Sequence, residues 1–146
     1  MTISIGSDHG GYQLKEQLME TLKEKGYKVI DQGCLGLESV DYPFYARRVA
    51  RDIQNDISTK GILICTTGIG MSITANKFKG IRAALVTNED AAKLSRQHND
   101  SNIICLGAKY TPYEEAIKYV LIFLGESFLG ERHSRRVNMI KEVEEK

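Results

Sequence analysis

The chain has 146 residues, the size of one domain, and its 20 lysines and arginines against 19 aspartates and glutamates give a formal net charge of +1. This balance lacks the basic excess of most nucleic-acid-binding domains, so no nucleic-acid partner is expected. No apolar run approaches the roughly 20 residues of a membrane span, and the N-terminus does not resemble a signal peptide. Cys34, Cys65 and Cys105 are too few and too far apart for a disulfide framework. A soluble, cytoplasmic protein with no membrane partner is predicted.

Short β-rich runs alternate with longer helical patterns along the chain. In chain order, the pattern predicts strand 2–7, helix 12–25, strand 28–32, helix 45–53, strand 61–65, helix 71–78, strand 82–87, helix 90–97, strand 102–106 and helices 112–124 and 132–144. This alternation predicts one α/β domain, residues 1–146, in three α/β/α layers around a five-stranded parallel, Rossmann-like sheet. Ligands of such sheets bind at the carboxyl ends of the strands, which draws attention to the loops after the first and third strands.

The loop after the third predicted strand combines a cysteine with glycines and hydroxyl residues, in the order Cys65-Thr66-Thr67-Gly68-Ile69-Gly70-Met71-Ser72. Small residues let several backbone N–H groups converge, with the N-terminus of the next helix behind them. Such a loop favours an anion or a developing oxyanion. The same groups would stabilise the thiolate of Cys65, which is the reactive form of cysteine. The opposing interpretation is that Cys65 simply ends a buried strand, and the residues alone leave both open.

Three other anion-binding loops are excluded at this position. There is no Gly-Lys-[Ser/Thr] of a P-loop, and Ile73 stands where a dinucleotide-binding loop has its third glycine. A cysteine phosphatase would carry arginine six positions after its nucleophile, where this chain has Met71. Of the other two cysteines, Cys105 lies between aliphatic residues and is expected in the core, and Cys34 is expected to be an incidental loop thiol.

Three further segments carry side chains with both a chemical and a structural interpretation. Asp8 could relay protons or grip hydroxyls, but aspartate also suits a helix N-cap. His98 could donate a proton, but histidine is also favourable at a helix C-terminus. Arg132 and Arg136 lie four apart on one helical face, which suits a phosphate monoester, although exposed charges often only solvate a helix. The three histidines lack metal-ligand spacing, so no metal site is predicted.

Taken together, these segments resemble ribose-5-phosphate isomerase type B and the related galactose-6-phosphate isomerase subunits. The resemblance spans nearly the whole chain and keeps the family's order. It is carried by Gly6-Ser7-Asp8-His9-Gly10-Gly11, Asp41-Tyr42-Pro43, the loop 65–72, Ala75-Asn76-Lys77, Gly80-Ile81-Arg82-Ala83, Ser95-Arg96-Gln97-His98-Asn99-Asp100 and Arg132-His133-Ser134-Arg135-Arg136-Val137.

The resemblance implies aldose–ketose interconversion through an enediolate. Cys65 would remove the proton next to the carbonyl and return it to the neighbouring carbon, with Thr67 assisting at the hydroxyls. Backbone amides of residues 68–72 would form an oxyanion hole, and His98 with Asp8 would open the furanose ring. His9, Arg132 and Arg136 would engage the phosphate. The substrate-binding set implied in this way is Asp8, His9, Tyr42, Thr66, Thr67, Gly68, Ile69, Gly70, Met71, Ser72, Asn99, Lys109, Arg132 and Arg136.

The resemblance also implies no metal, no cofactor, a sugar-phosphate substrate, and a homodimer or homotetramer with shared active sites. Retention of Cys65 and the run 97–99 favours ribose 5-phosphate, an intermediate of the pentose phosphate pathway. A six-carbon substrate (allose 6-phosphate or galactose 6-phosphate) and a non-catalytic phosphosugar-binding module are the alternatives. Three departures from the family pattern bear on the sugar: Thr66 and Glu131 where glycine is usual, and Lys109 where arginine is common.

Overall fold

A computed structural model describes the whole chain, residues 1–146, as alternating strands and helices. The strands are β1 (Thr2–Ser7), β2 (Lys28–Asp31), β3 (Lys60–Cys65), β4 (Ala83–Leu85) and β5 (Ile103–Gly107). The helices are α1 (Tyr12–Glu24), α2 (Tyr42–Gln54), α3 (Ile69–Ala75), α4 (Glu89–Gln97), α5 (Tyr113–Gly125) and α6 (Arg132–Val143). A single 3-10 turn, His9–Gly11, joins β1 to α1. All eleven predicted elements are present.

The five strands form one parallel sheet in the order β2-β1-β3-β5-β4, which confirms the predicted fold class. The chain moves outward from β1 to β2, then returns past β1 to β3 and continues to the opposite edge. The sheet order therefore changes direction between β1 and β3. In this class of sheet, such a change opens a crevice beyond the carboxyl ends of the two strands.

Helices cover both faces of the sheet because the central strands are apolar on both sides. In β1 and β3, every residue after the first is buried, as expected for parallel strands between two helical layers. One core packs the sheet against the buried faces of α1, α4 and α5, and a second packs its other face against α2 and α3. The helices that follow β1 and β3 thus leave toward opposite faces, and the loops ahead of them flank the crevice.

Side-chain hydrogen bonds explain where the element boundaries differ from the predicted ones. Helix α3 ends at Ala75 instead of reaching residue 78, because the Asn76 amide pairs with both the C=O and the N–H of Ala83, at 2.9 and 2.8 Å. Arg82 lies outside β4, since its N–H donates to the Asn102 side chain at 2.8 Å. Helix α2 begins at Tyr42, earlier than predicted, with a proline in its first turn, where a missing N–H costs nothing.

The structure separates the three cysteines by environment. All are free and buried. Cys105 is fully buried in β5, as expected, and burial, with a smaller contribution from nearby Cys65, raises the pKa of its thiol far above the ordinary value. Cys34, expected to be an incidental loop thiol, does lie in a loop, but it is only 2% exposed and its Sγ donates to Gly36 O at 3.3 Å. None of the helices combines the length and the apolar character that a membrane span requires.

Candidate active site

Cys65 ends β3 at the point where the sheet order changes direction. Its side chain is 5% exposed, and the N–H of Gly68 donates to its Sγ at 3.2 Å. The sulfur therefore lies at hydrogen-bond distance from a backbone donor. Gly68 can take this position because its φ of +80° is open to glycine, and a Cβ there would lie 2.9 Å from the carbonyl carbon of Leu106. The glycine is therefore required by the turn that places an N–H on Cys65.

The residues after Cys65 begin α3, and Ile69 and Gly70 of its first turn line the same cleft as Cys65. Gly68, in the left-handed conformation, is the N-cap of α3, and Ile69 N–H donates to Thr67 Oγ1 at 3.3 Å. The first N–H groups of a helix have no carbonyl partner within it. Met71 is fully buried, so only its backbone is available to a ligand. Of residues 68–72, Ser72 already uses its N–H, which donates to Gly68 O at 3.1 Å, so the amides open to an anion are those nearer the start of the helix.

Asp8, from the loop after β1, lies in the same cleft as Cys65. The cleft is lined by Asp8, Tyr42, Cys65, Thr66, Thr67, Ile69, Gly70 and Ile73. Asp8 is 6% exposed, and one of its carboxylate oxygens, Oδ1, accepts the N–H of Gly11 at 3.1 Å, so it is also the N-cap of the 3-10 turn. The capping bond occupies Oδ1 and leaves Oδ2 to accept a proton or a hydroxyl. The two interpretations of this residue are compatible.

Tyr42 closes the cleft from the side of α2. A Cβ added at Gly70 would lie 2.5 Å from the Tyr42 ring, so the ring packs directly on the glycine backbone. Any side chain at position 70 would displace the tyrosine. Gly70 is therefore needed for the contact that brings an aromatic ring with a hydroxyl to the cleft.

A second cleft lies on the other side of Thr66 and is lined by a basic side chain, that of Lys109. Its lining includes Gly10, Thr66 and Lys109, together with polar residues of α1 and the start of α5. Lys109 follows β5, and its N–H donates to the carbonyl of Thr66 at 3.0 Å. Thr66 lines both clefts and stands between them. His9, at the start of the 3-10 turn, accepts a hydrogen bond from Val40 in the loop after β2. These groups lie at the carboxyl ends of the strands, as Cys65 does.

The remaining predicted residues lie near the amino ends of the strands, at the far end of the sheet from Cys65. They are His98, Asn99, Arg132 and Arg136. His98 ends α4, whose chain then enters β5 at its amino end, where the carbonyl of Asn102 accepts the N–H of Gly61. The His98 ring stacks on His133, in the first turn of α6. Arg132 and Arg136 are exposed on the same helix.

The two groups of candidate residues cannot meet within one chain. Strand β3 has six residues, and at about 3.3 Å per residue its amino and carboxyl ends are roughly 20 Å apart. Asp8 lies at the carboxyl ends of the strands and His98 near the amino ends, although the resemblance implies that they act together. One group of candidate residues lies at the carboxyl ends of the strands and comprises Asp8, Tyr42, the loop 65–72 and Lys109. The other group lies near the amino ends and comprises His98, Asn99, Arg132 and Arg136.

Two residues at these positions had no role in the sequence prediction. His133 is 7% exposed and stacks on His98, and its Nε2 has no hydrogen-bond partner. Lys15 is fully buried, and its Nζ lies 2.9 Å from Oδ1 of Asp31. Asp31 ends β2, just before the loop whose Val40 contacts His9. Lys15 follows a leucine of the apolar face of α1, and nothing in the helical pattern indicates that its charge is buried. Nowhere in the chain do three or more His, Cys, Asp or Glu side chains come close enough together to hold a metal ion.

Comparisons with known proteins show the family of this chain. A family model described as Ribose/Galactose Isomerase matches residues 3–140. Ribose-5-phosphate isomerase B of Escherichia coli K12 is 43% identical over 144 residues, which cover 99% of this chain and 97% of that protein.

Solved structures show the same similarity in three dimensions. The ribose-5-phosphate isomerase B of Clostridium thermocellum superposes with a TM-score of 0.98 at 48% identity, covering 99% of this chain and 98% of its own. The enzyme of Mycoplasma genitalium, solved with bound ribulose 5-phosphate, has a TM-score of 0.95 at 42% identity, covering 99% and 97%. Because the family model matches nearly the whole chain, and these relatives match it end to end, the protein belongs to the ribose/galactose isomerase family and is an isomerase.

Proposed function

We propose that this isomerase interconverts ribose 5-phosphate and ribulose 5-phosphate through an enediolate, with Cys65 as the base. One observation carries the proposal: the sulfur of Cys65 receives the N–H of Gly68 inside a cleft that also contains the carboxylate of Asp8. A cysteine sulfur next to helix-terminal amides combines a base with an anion-stabilising loop. Relatives that carry this activity in their names, one of them with ribulose 5-phosphate bound, support the choice of sugar.

The first step is opening of the furanose ring. The free oxygen of Asp8 accepts the proton of the anomeric hydroxyl while His98 of a second copy protonates the ring oxygen, so that the C–O bond of the ring breaks. General acid–base pairs of this kind typically accelerate proton transfer by about 10²- to 10⁴-fold. The product of this step is the open-chain aldose, with its carbonyl carbon facing the loop 65–72.

Isomerisation then moves two protons. The Cys65 thiolate takes the proton from C2, and the resulting enediolate is held by the free amides among residues 68–72. The Cys65 thiol, whose proton can exchange with solvent while the enediolate is held, then protonates C1, and the proton of the C2 hydroxyl passes to the C1 oxygen with help from Thr67. No electron leaves the substrate, since oxidation at C2 balances reduction at C1. The chain's own groups therefore suffice, and we propose a metal- and cofactor-independent reaction.

The phosphate and the ring-opening histidine require a second copy of the chain. Arg132 and Arg136 are exposed on α6, far from Cys65. Like His98 and Asn99, they lie near the amino ends of the strands. We propose a homodimer, or a homotetramer of such pairs, in which one copy supplies Asp8, His9, Tyr42, Lys109 and the loop 65–72. The other copy supplies His98, Asn99 and the two arginines. Paired guanidinium groups suit the dianionic phosphate at the end of the sugar.

The cellular setting and the size of the sugar complete the proposal. Three free, buried cysteines fit a reducing cytoplasm, where the pentose phosphate pathway operates. The matched family also includes galactose isomerases, so a six-carbon sugar phosphate is the alternative substrate.

The first experiment is turnover of ribose 5-phosphate in deuterated water, with allose 6-phosphate and galactose 6-phosphate as comparison substrates and a chelator in parallel. Formation of ribulose 5-phosphate with deuterium incorporated from solvent, unaffected by the chelator, is expected. Higher kcat/KM on a six-carbon sugar would overturn the choice of substrate. Activity lost on chelation and restored by a divalent ion would overturn the metal-independent mechanism.

A further inference from the structure

His9 is held by a backbone group that determines which of its ring nitrogens carries the proton. The N–H of Val40 donates to Nδ1 of His9 at 3.1 Å. A backbone N–H can only donate, so Nδ1 must be an unprotonated acceptor, and the proton of the neutral ring must lie on Nε2. Rotating the ring by half a turn would place a carbon opposite Val40 and lose the bond. The contact therefore selects one tautomer and one ring orientation.

The loop that presents Val40 is anchored at its other end to β1. The N–H of Ser7 donates to Gly33 O at 2.6 Å, and the N–H of Cys34 donates to Ser7 O at 2.8 Å. These two bonds continue the pairing between β1 and β2 past the end of the regular strand. The loop 33–41 therefore starts from a defined point directly beside the strand that leads to His9.

An ion pair between the buried Lys15 and the exposed Asp31 secures the same anchor. Oδ1 of Asp31 accepts both the N–H of Gly33, at 2.8 Å, and the ammonium of Lys15, at 2.9 Å. Burial would lower the pKa of Lys15, but hydrogen bonds and charges from Glu16 and Asp31 outweigh it and raise that pKa. The lysine therefore stays charged and holds Asp31 on Gly33. Both ends of the loop are thus fixed by specific contacts.

We propose that Val40 is a positioning residue whose N–H fixes His9 as a neutral Nε2–H donor to the phosphate. The inference rests on the proposed function, in which His9 contacts the phosphate, and deepens it. Phosphate recognition then divides between cations, from Arg132 and Arg136 of the second copy, and a neutral, directional donor from His9. A full positive charge on His9 would require protonation of Nδ1 and loss of the Val40 bond. His9 thus contributes geometry at the phosphate, where the arginines contribute charge.

The test uses Val40→Pro, which removes the N–H, and Val40→Ala as the matched control, which shortens the side chain but keeps the donor. The ring nitrogens are observed by ¹⁵N-detected correlation NMR of the full-length protein at pH 8, where an ordinary histidine is neutral. His9→Asn identifies the His9 signals among the three histidines. Wild type and Val40→Ala are expected to show only the Nε2–H tautomer of His9, and Val40→Pro a mixture of both tautomers.

Kinetics provide the second readout. With ribose 5-phosphate, Val40→Pro should raise KM roughly three- to tenfold, as expected for one poorly oriented hydrogen bond, with little change in kcat. Val40→Ala should leave both constants near wild type. An Nδ1–H tautomer of His9 in the wild type would overturn the proposal, whether or not Val40→Pro folds. So would a folded Val40→Pro with an unchanged tautomer. The NMR result does not depend on turnover, so a protein inactive on ribose 5-phosphate would refute the proposed function and leave this test intact.

Discussion

The ring of His133 stacks on the ring of His98, with centroids 4.2 Å apart and planes inclined by 12°. His133 is anchored in the first turn of α6, where its own N–H donates to Gly130 O at 3.0 Å. A flat, buried partner restricts rotation of the His98 ring, which ends α4 and has no helix beyond it. The stack also places two titratable rings together, close to Arg132 and Arg136.

The stack should make the stability of the protein depend on pH. Burial, followed by the nearby charges of His98, Arg132 and Arg136, lowers the pKa of His133 below its ordinary value of 6.5, against an opposing contribution from Glu131. The folded state therefore binds fewer protons at this site than the unfolded state, and stability is lost as pH falls through 6.5 and below. His133→Phe keeps a flat ring without the titration. Its urea midpoint should change less between pH 7.5 and 5.5 than that of the wild type. An equal change in both proteins would contradict this.

Cys65→Ser should abolish most catalysis and leave the fold intact. A serine hydroxyl is hardly ionised near neutral pH, so the variant loses the base, and removal of a general base costs roughly 10²- to 10⁴-fold in kcat. Solvent deuterium incorporation next to the carbonyl should slow by the same factor, as followed by NMR of the sugar.

Cys105→Ser is the matched control, because burial keeps the Cys105 thiol protonated. It should lower stability, by placing a hydroxyl in a fully buried strand, more than it lowers the rate. Cys34→Ser should affect turnover little. Proton exchange at the wild-type rate in folded Cys65→Ser would place the base elsewhere.

Arg132→Ala and Arg136→Ala should act mainly on KM. The phosphate does not react and is bound in both ground and transition states, so its contacts contribute uniform binding. A charge-assisted hydrogen bond is worth about 1.5–3 kcal/mol, so each variant should lose roughly ten- to a hundredfold in kcat/KM. Arg135→Ala, on the same helix but outside the proposed site, is the control and should be near wild type. Unchanged kinetics in all three would mean that these arginines are surface charges only.

Two inactive variants should restore each other if the site is shared. Cys65→Ser is defective in one half of the proposed site and His98→Asn in the other. In a mixed pair, one site carries both defects and the other carries neither, so refolding an equal mixture should recover about a quarter of wild-type activity. The recovered activity is measured against each variant refolded alone. No recovery, with mixed oligomers demonstrated by mass spectrometry, would place both residues in the same chain's site.

His98→Asn also tests the assignment of ring opening. The variant should slow overall turnover of ribose 5-phosphate but leave the enediolate step itself nearly unchanged. That step is measured in a single turnover started from open-chain substrate. Equal slowing of both would assign His98 a different role.

The sequence by itself was sufficient for the sheet, the helices and the proximity of the loops that carry Asp8 and Cys65. These features depend on local patterns: apolar strands alternate with helical runs, and a glycine-rich loop follows a strand. Since parallel strands end at the same edge, the loops carrying Asp8 and Cys65 had to be neighbours. The ends of elements were less predictable. Asn76, for example, stops α3 through a bond to Ala83 that is formed only after β4 is in place.

Only the tertiary structure decided which chemical groups lie at the same end of the strands. The resemblance assigns Asp8 and His98 to one reaction, but the two residues lie at opposite ends of the strands. They are separated by the full length of β3, a distance that no local pattern encodes. The burial of Lys15 and the bond from Val40 to His9 are likewise products of packing. A lysine in an amphipathic helix looks the same whether exposed or paired, and a backbone N–H has no sequence signature. The candidate residues were therefore readable from the chain, whereas their orientation and their separation between the two ends of the strands follow from contacts between segments distant in sequence.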